Sequence, residues 1–158
     1  LGITEVGVKW PNDIYWRSQK LSGILVETSL DSKSGIAVVV GVGVNFRMAR
    51  KPAKQIEQPW VDVHSAAASV SGRNRAVAYL LEAILLGLDQ FSREGFLPFQ
   101  HRWNRLDVMR DQFVRLHREH DDVAGKAVGV DDTGALLLDV NGIVRPFVTG
   151  DVSLRLLK

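Results

Sequence analysis
Ile36-Ala37-Val38-Val39-Val40-Gly41-Val42-Gly43-Val44-Asn45 is the stretch from which the fold is read. It is continuously apolar and rich in β-branched residues, so it reads as a central strand buried on both faces. It ends in two glycines spaced by two and an amide. Gly41-x-Gly43 after a strand resembles the start of a dinucleotide fingerprint, but the third glycine is missing and no helix begins at Val44. What survives is narrower. Two glycines on one side of a strand leave that side without side chains, which suits either a flat ligand or a close strand–helix contact. The local pattern leaves both readings open.

Working outward, Val6 to Trp10 reads as a strand entering a turn, stopped by Pro11. Asn12 and Asp13 suit that turn. A further strand is expected over Lys20 to Thr28, with Asp31 to Gly35 as a hairpin or loop signal. From Arg47 to Trp60 the chain turns polar and basic, with Pro52 and Pro59 blocking long helices, and reads as a mobile surface loop. A short helix is expected at Val63 to Val70. The clearest helix is Asn74 to Arg93, where Val77, Leu80, Leu81, Ile84, Leu85, Leu88 and Phe91 form one apolar stripe that predicts a core face. Gly95 is its C-cap, and Leu97 to Leu106 reads as another short helix with Phe99, Trp103 and Leu106 inward. After Asp107 the pattern becomes short alternating strands near Gln112–Arg118, Ala124–Val130, Ala135–Val140, Ile143–Phe147 and Ser153–Leu156. Asp131-Asp132-Thr133-Gly134 and Val140-Asn141-Gly142 carry hairpin chemistry between them. The expected fold is therefore α+β: a mixed sheet packed by helices over 1–110, then a small β-barrel over 111–158.

With 46% hydrophobic and 24% charged residues, the 158-residue chain is ordinary for a globular protein. A net charge of +2 permits an anionic substrate without implying nucleic acid. The absence of cysteine excludes disulfides and thiolate zinc sites. No apolar run spans a bilayer, and Leu1-Gly2-Ile3-Thr4 is no signal peptide. A start without methionine that runs straight into core-like structure leads to the expectation of material upstream.

Several residues are candidates for chemistry. Asn45 continues the parity of the bare strip and offers a donor and an acceptor, a pairing suited to a purine edge. Lys20 stands at a strand start beside the Asn12-Asp13 turn, where most lysines are simply solvated. Asp13 is either a turn cap or a single oxygen ligand for Mg²⁺ with substrate phosphates completing the shell. Trp10 and Trp60 are anchors or packing. His64, His101, His117 and His120 lack metal-ligand spacing, and neither a Ser/His/Asp nor a Cys/His set can be assembled.

Lys9-Trp10-Pro11-Asn12-Asp13, Lys20-Leu21-Ser22-Gly23-Ile24-Leu25-Val26-Glu27 and Gly41-Val42-Gly43-Val44-Asn45, in this order and spacing, resemble the biotin protein ligase (biotin–acetyl-CoA-carboxylase ligase) family. The likeness continues through Trp60, the long helix, Arg102-Trp103 and the end Gly150-Asp151-Val152-Ser153-Leu154-Arg155. It implies a class II synthetase-like catalytic domain, truncated at its N-terminus, followed by an SH3-like domain. It also implies a two-step reaction in which biotin and ATP give biotinyl-5′-AMP, and a lysine of a biotin carboxyl carrier protein then takes the biotinyl group. By resemblance Lys20 is the catalytic cation at the biotin carboxylate, and Gly41 and Gly43 floor the biotin pocket. Asn12, Asp13, Asn45, Trp60 and Arg155 lie at the nucleotide, and Asp13 meets Mg²⁺ with the ATP phosphates. Ala49–Trp60 matches a loop that orders over the adenylate.

The family's Gly/Arg-rich biotin loop normally precedes the first motif, and nothing here matches it. The expectation is a carboxy-terminal portion with little or no ligase activity alone. The resemblance is compatible with a cytoplasmic protein and a homodimer, and with DNA binding only if an upstream domain supplies it. The alternatives are a lipoate-type ligase and a non-catalytic adenylate-binding or regulatory module.

Overall fold
A computed structural model describes residues 2–31, 35–48, 58–70, 72–118, 121–148 and 153–157. The architecture is mixed α and β with antiparallel sheets, and the chain divides into two units: residues 1–6 with 12–70, and residues 7–11 with 71–158.

The first unit contains β2 (Asp13–Trp16), β3 (Gln19–Asp31), β4 (Gly35–Val44) and the one-turn helix α1 (Val63–Ala66). The sequence reading had no strand at Asp13–Trp16. It forms because Arg17 and Ser18 take positive φ, 45° and 65°, between the paired residues Trp16 and Gln19. Two left-handed residues give the hairpin turn whose twist matches the flanking strands. The turn is hard to see in advance because neither residue is Asn or Gly. β3 and β4 then pair over ten positions, from Ser22 opposite Val44 to Asp31 opposite Gly35. The unit's buried cluster is small: Leu21, Val61 and Val63, with Ile3, Trp16, Phe46 and Val70 packed on it.

β4 has the expected extent, but it is not buried on both faces. It lies at the end of the row of strands, and Ile36, Val38, Val39 and Val44 are all exposed. A continuous apolar run calls for cover on two sides, and among the described residues of the unit nothing lies over it.

The second unit takes in residues 7–9 of β1 (Val6–Lys9), whose Val8 bridges Asp107. It continues with α2 (Arg73–Glu94), α3 (Leu97–Leu106) and five strands: β5 (Phe113–His117), β6 (Asp122–Val130), β7 (Leu136–Val140), β8 (Ile143–Phe147) and β9 (Ser153–Leu156). The sheet order is β8-β7-β6-β5-β9, all antiparallel, with β8 and β9 as unpaired ends among the described residues. The turns behave as their residues dictate. Asp131 Oδ1 accepts from the Thr133 and Ala135 N–H groups, each at 2.9 Å. Asn141 and Gly142 take positive φ between Val140 and Ile143.

Val114, Leu116, Ala127, Val130, Leu136 and Leu138 form a dry core with Trp10 and Met109. Trp10 Nε1 donates to the Gly134 carbonyl at 3.2 Å, which satisfies its one polar atom. α3 is stitched to the sheet at Val130. Asn104 Oδ1 accepts from the Val130 N–H at 2.8 Å, while Asn104 Nδ2 and Gln100 Nε2 donate to its carbonyl at 3.3 and 3.0 Å. Trp103 packs against this core, Phe99 is half-buried, and Leu106 is exposed rather than inward.

α2 is the helix its periodicity predicted, capped by Gly95 with φ 68°. Its stripe is not core, however. Val77, Leu81, Leu85, Leu88 and Phe91 are exposed, and none of the helix's residues is fully buried. The spacing reports an apolar face correctly; the cover for that face is absent among the described residues. No described helix is long and apolar enough to cross a membrane.

Candidate functional site
The site follows from one irregularity in the β2–β3 hairpin. The register runs Asp13–Gly23 and Ile14–Ser22, then slips to Tyr15–Lys20, so Leu21 stands extra in β3. In a regular strand Lys20 and Gly23, three apart, would point to opposite faces. The extra residue reverses that parity and brings Lys20 to the side of Gly23 and Asp13, a common use of a β-bulge beside a site. Leu21 itself goes into the buried cluster.

On this face lies an open cleft of about 470 Å³, within the usual range for small-molecule sites. Five sequence-predicted residues line it together: Asn12, Asp13, Lys20, Gly41 and Gly43. Gly23, Ile24, Leu25 and Val42 complete the lining and had not been singled out. The cross-strand register explains the floor, since Gly43 stands opposite Gly23 and Gly41 opposite Leu25. A Cβ on Gly41 would meet only the Leu25 carbonyl oxygen at 3.6 Å, and one on Gly43 only the Gly23 carbonyl oxygen at 3.8 Å. Those are ordinary contacts, so the packing described here does not require the two glycines to be bare.

Lys20 Nζ lies 2.6 Å from Asp13 Oδ1, with the two side chains 28% and 15% exposed. Partial shielding makes this pair firmer than a surface ion pair. The backbone at Lys20 is held on both sides: its N–H donates to the Pro59 carbonyl at 2.9 Å, and the Val61 N–H donates to its carbonyl at 3.0 Å. Trp60 therefore sits in a parallel bridge beside Lys20, with its side chain half-buried. Asn45 reinforces the join, because Nδ2 donates to the carbonyls of Lys20 at 3.1 Å and Val61 at 3.2 Å. Both amide hydrogens of Asn45 are thus engaged with backbone, and what it can offer a ligand is Oδ1. Asn12 Nδ2 donates to the Ile24 carbonyl at 2.7 Å, and the Ile24 N–H donates back to the Asn12 carbonyl at 2.9 Å.

Asp62, not foreseen as important, ties the following segment down. Its carboxylate accepts from the Met48 and Ser65 N–H groups, both at 2.8 Å, the latter as the α1 N-cap. Burial pushes its pKa up, but the N–H groups of Met48 and Ser65 outweigh that and hold it below the usual carboxylate range.

Arg155 is exposed on β9 of the second unit, paired across from Arg115. Of the expected loop Ala49–Trp60, residues 49–57 lie outside the described residues. Gly150, Asp151 and Val152 do too. His117 meets Asp122 at 3.0 Å, and no group of three or more His, Cys, Asp or Glu suited to a metal occurs among the described residues.

Comparison with known proteins points one way. Residues 3–45 match the family model for the biotin/lipoate A/B protein ligase family, and residues 111–155 match that for the biotin protein ligase C-terminal domain. The bifunctional ligase/repressor BirA of Escherichia coli K12 is 36% identical over 98% of this chain and 48% of its own length. The biotin–[acetyl-CoA-carboxylase] ligase of Mycobacterium tuberculosis is 34% identical over 94% of this chain and 53% of its own. The chain thus spans about half the length of these relatives. A solved biotin protein ligase from Aquifex aeolicus, in complex with biotin and ATP, superposes with a TM-score of 0.83. It shares 25% identity and covers 96% of this chain and 62% of its own.

Proposed function
We propose, for a chain that belongs to the biotin protein ligase family, that the protein containing it activates biotin with ATP and attaches it to a lysine of a biotin carboxyl carrier domain. The observation that carries this reading is the half-buried Lys20 ammonium beside a cleft floored by Gly41 and Gly43.

The first step brings two anions together: a biotin carboxylate oxygen attacks the α-phosphorus of ATP, and pyrophosphate leaves. Two unit charges about 4 Å apart repel by about 4 kcal/mol at an effective dielectric of 20. A fixed ammonium between them offsets that cost without reorganisation, which is the role of Lys20. In the second step the ε-amine of the carrier lysine attacks the acyl carbon of biotinyl-5′-AMP, and AMP leaves. The bare floor accepts the flat fused rings of biotin. Asn12, the Oδ1 of Asn45 and Trp60 serve the nucleotide.

A single carboxylate such as Asp13 does not make a standing metal site, but it suits Mg²⁺ that arrives on nucleotide phosphates with waters completing its shell. Asp13 would hold that ion, which when bound neutralises phosphate charge. The match of residues 111–155 to its own family model supports a domain boundary near residue 110. Five short antiparallel strands around a dry core support an SH3-like barrel there.

Biotin-dependent exchange of pyrophosphate into ATP, and transfer of biotin to an apo carrier domain, test the reading. The full-length protein is expected to do both and the 158-residue chain alone neither. Exchange that depends on lipoate instead of biotin overturns the substrate assignment, and robust exchange by the chain alone overturns its expected inactivity.

A further inference from the structure
Resting on Lys20 as the cation at the reacting anions, we propose that Gly23 is a positioning residue: its missing side chain is the slot in which the Asp13–Lys20 pair is held. The three glycines of the cleft are not equivalent. Whereas a Cβ on Gly41 or Gly43 would make only an ordinary contact with a carbonyl oxygen, one on Gly23 would lie 3.1 Å from Asp13 Oδ1 and 3.3 Å from both Cε and Nζ of Lys20. Those separations are too short to be comfortable, and the pair would have to move by a few tenths of an ångström. Gly23 is thus bare for the sake of the protein's own side chains.

Three features converge on this spot. Asp13 stands directly opposite Gly23 in the register. The extra residue Leu21 swings Lys20 to the same face. The Ser22 hydroxyl donates to the Gly43 carbonyl at 2.8 Å, fixing β3 to β4 next to the slot. A free lysine carries about 2 kcal/mol of rotamer entropy, and a carboxylate that fixes its ammonium removes part of that freedom before substrate arrives. Asp13 and Gly23 therefore act through Lys20.

The test uses the full-length protein with Gly23→Ala, Asp13→Asn and the double substitution. The rate of biotinyl-adenylate formation is read against the Lys20 ε-methylene protons, whose NMR shifts are inequivalent when the chain is held. Gly23→Ala is expected to lower kcat about 10-fold with the KM for ATP unchanged, and to merge the two proton shifts. In the Asp13→Asn background the same change should cost less than about 2-fold, because the pair it disturbs is already gone. Asp13→Glu, which keeps the charge but overfills the slot, should resemble Asp13→Asn. A Gly23→Ala loss that persists in full without Asp13 would mean simple crowding of the cleft and overturns the proposal, as would an Asp13→Glu protein with native kcat. If the parent protein forms no adenylate yet Gly23→Ala merges the shifts, the ligase reading fails and the positioning role stands.

Discussion
The five-stranded sheet and the β3–β4 hairpin are built from the same residue types, yet they end in opposite states. Val114, Leu116, Leu136 and Leu138 are entirely removed from solvent, whereas Leu25, Val26, Leu30, Ile36, Val38 and Val39 are exposed. The first set occupies alternate positions along β5 and β7 that face inward, and it finds its cover in neighbouring strands and α3. The second set is apolar on both sides and has none among the described residues. Strand-forming residues therefore specify a strand in both places; whether that strand becomes core depends on what else is present. The candidate cleft, lined by residues of β3 and β4, is on the uncovered side of this contrast.

The sharpest way to break the comparison is chemical. Lys20→Ala should lower biotinyl-adenylate formation by about 10²–10³-fold in the full-length protein, with a loss of stability of only about 1 kcal/mol from the broken Asp13 pair. A larger loss of stability would make Lys20 a folding residue like those of the sheet.

Next come the apolar positions themselves. Leu116→Ala, at 0% exposure, should cost about 2–5 kcal/mol in urea unfolding of the second unit. Leu30→Ala, at 89% exposure, should cost within about 0.5 kcal/mol in the same chain. Equal effects would erase the distinction. Asn104→Ala should cost about 1–3 kcal/mol, since it leaves the buried Val130 N–H without its acceptor.

The smallest effect separates the units by sign. Asp62 has a lowered pKa: burial raises it, but the Met48 and Ser65 N–H groups outweigh that. Its stability contribution is full above the unfolded value of 3.8 and is lost as pH falls through the lower folded value. Asp107 has a raised pKa because burial outweighs the Met109 N–H and Arg110 that oppose it. It penalises folding above its folded value, and the penalty is relieved as pH falls from there to 3.8. Asp62→Asn should therefore cost about 1 kcal/mol at neutral pH and flatten the acid limb. Removing the charge at Asp107 should remove a gain of opposite sign, and acid unfolding curves of both variants check the pair.

Much of this was legible in the sequence. The strands after residue 110 were read closely because Asp131–Gly134 and Asn141-Gly142 announce their turns. Of the residues named as candidates, Asn12, Asp13, Lys20, Gly41 and Gly43 line one cleft, whereas Asn45 and Trp60 do not line it. What was hidden depended on register. Gly23 stood inside a quoted motif, but its role follows from the slip at Leu21, which no residue type marks. β2 was missed because Arg17 and Ser18 carry no turn signature. The stripes of β4 and α2 were read correctly as apolar and wrongly as buried, because periodicity names the face and not its partner.

The clamp of Asn104 on Val130 has a consequence for how the second unit breathes. A side chain occupies both hydrogen-bonding groups of a strand residue, so that amide cannot meet solvent until α3 lifts off β6. Hydrogen–deuterium exchange at Val130 therefore reports detachment of a helix from a strand amide, and its rate measures the free energy with which α3 is held.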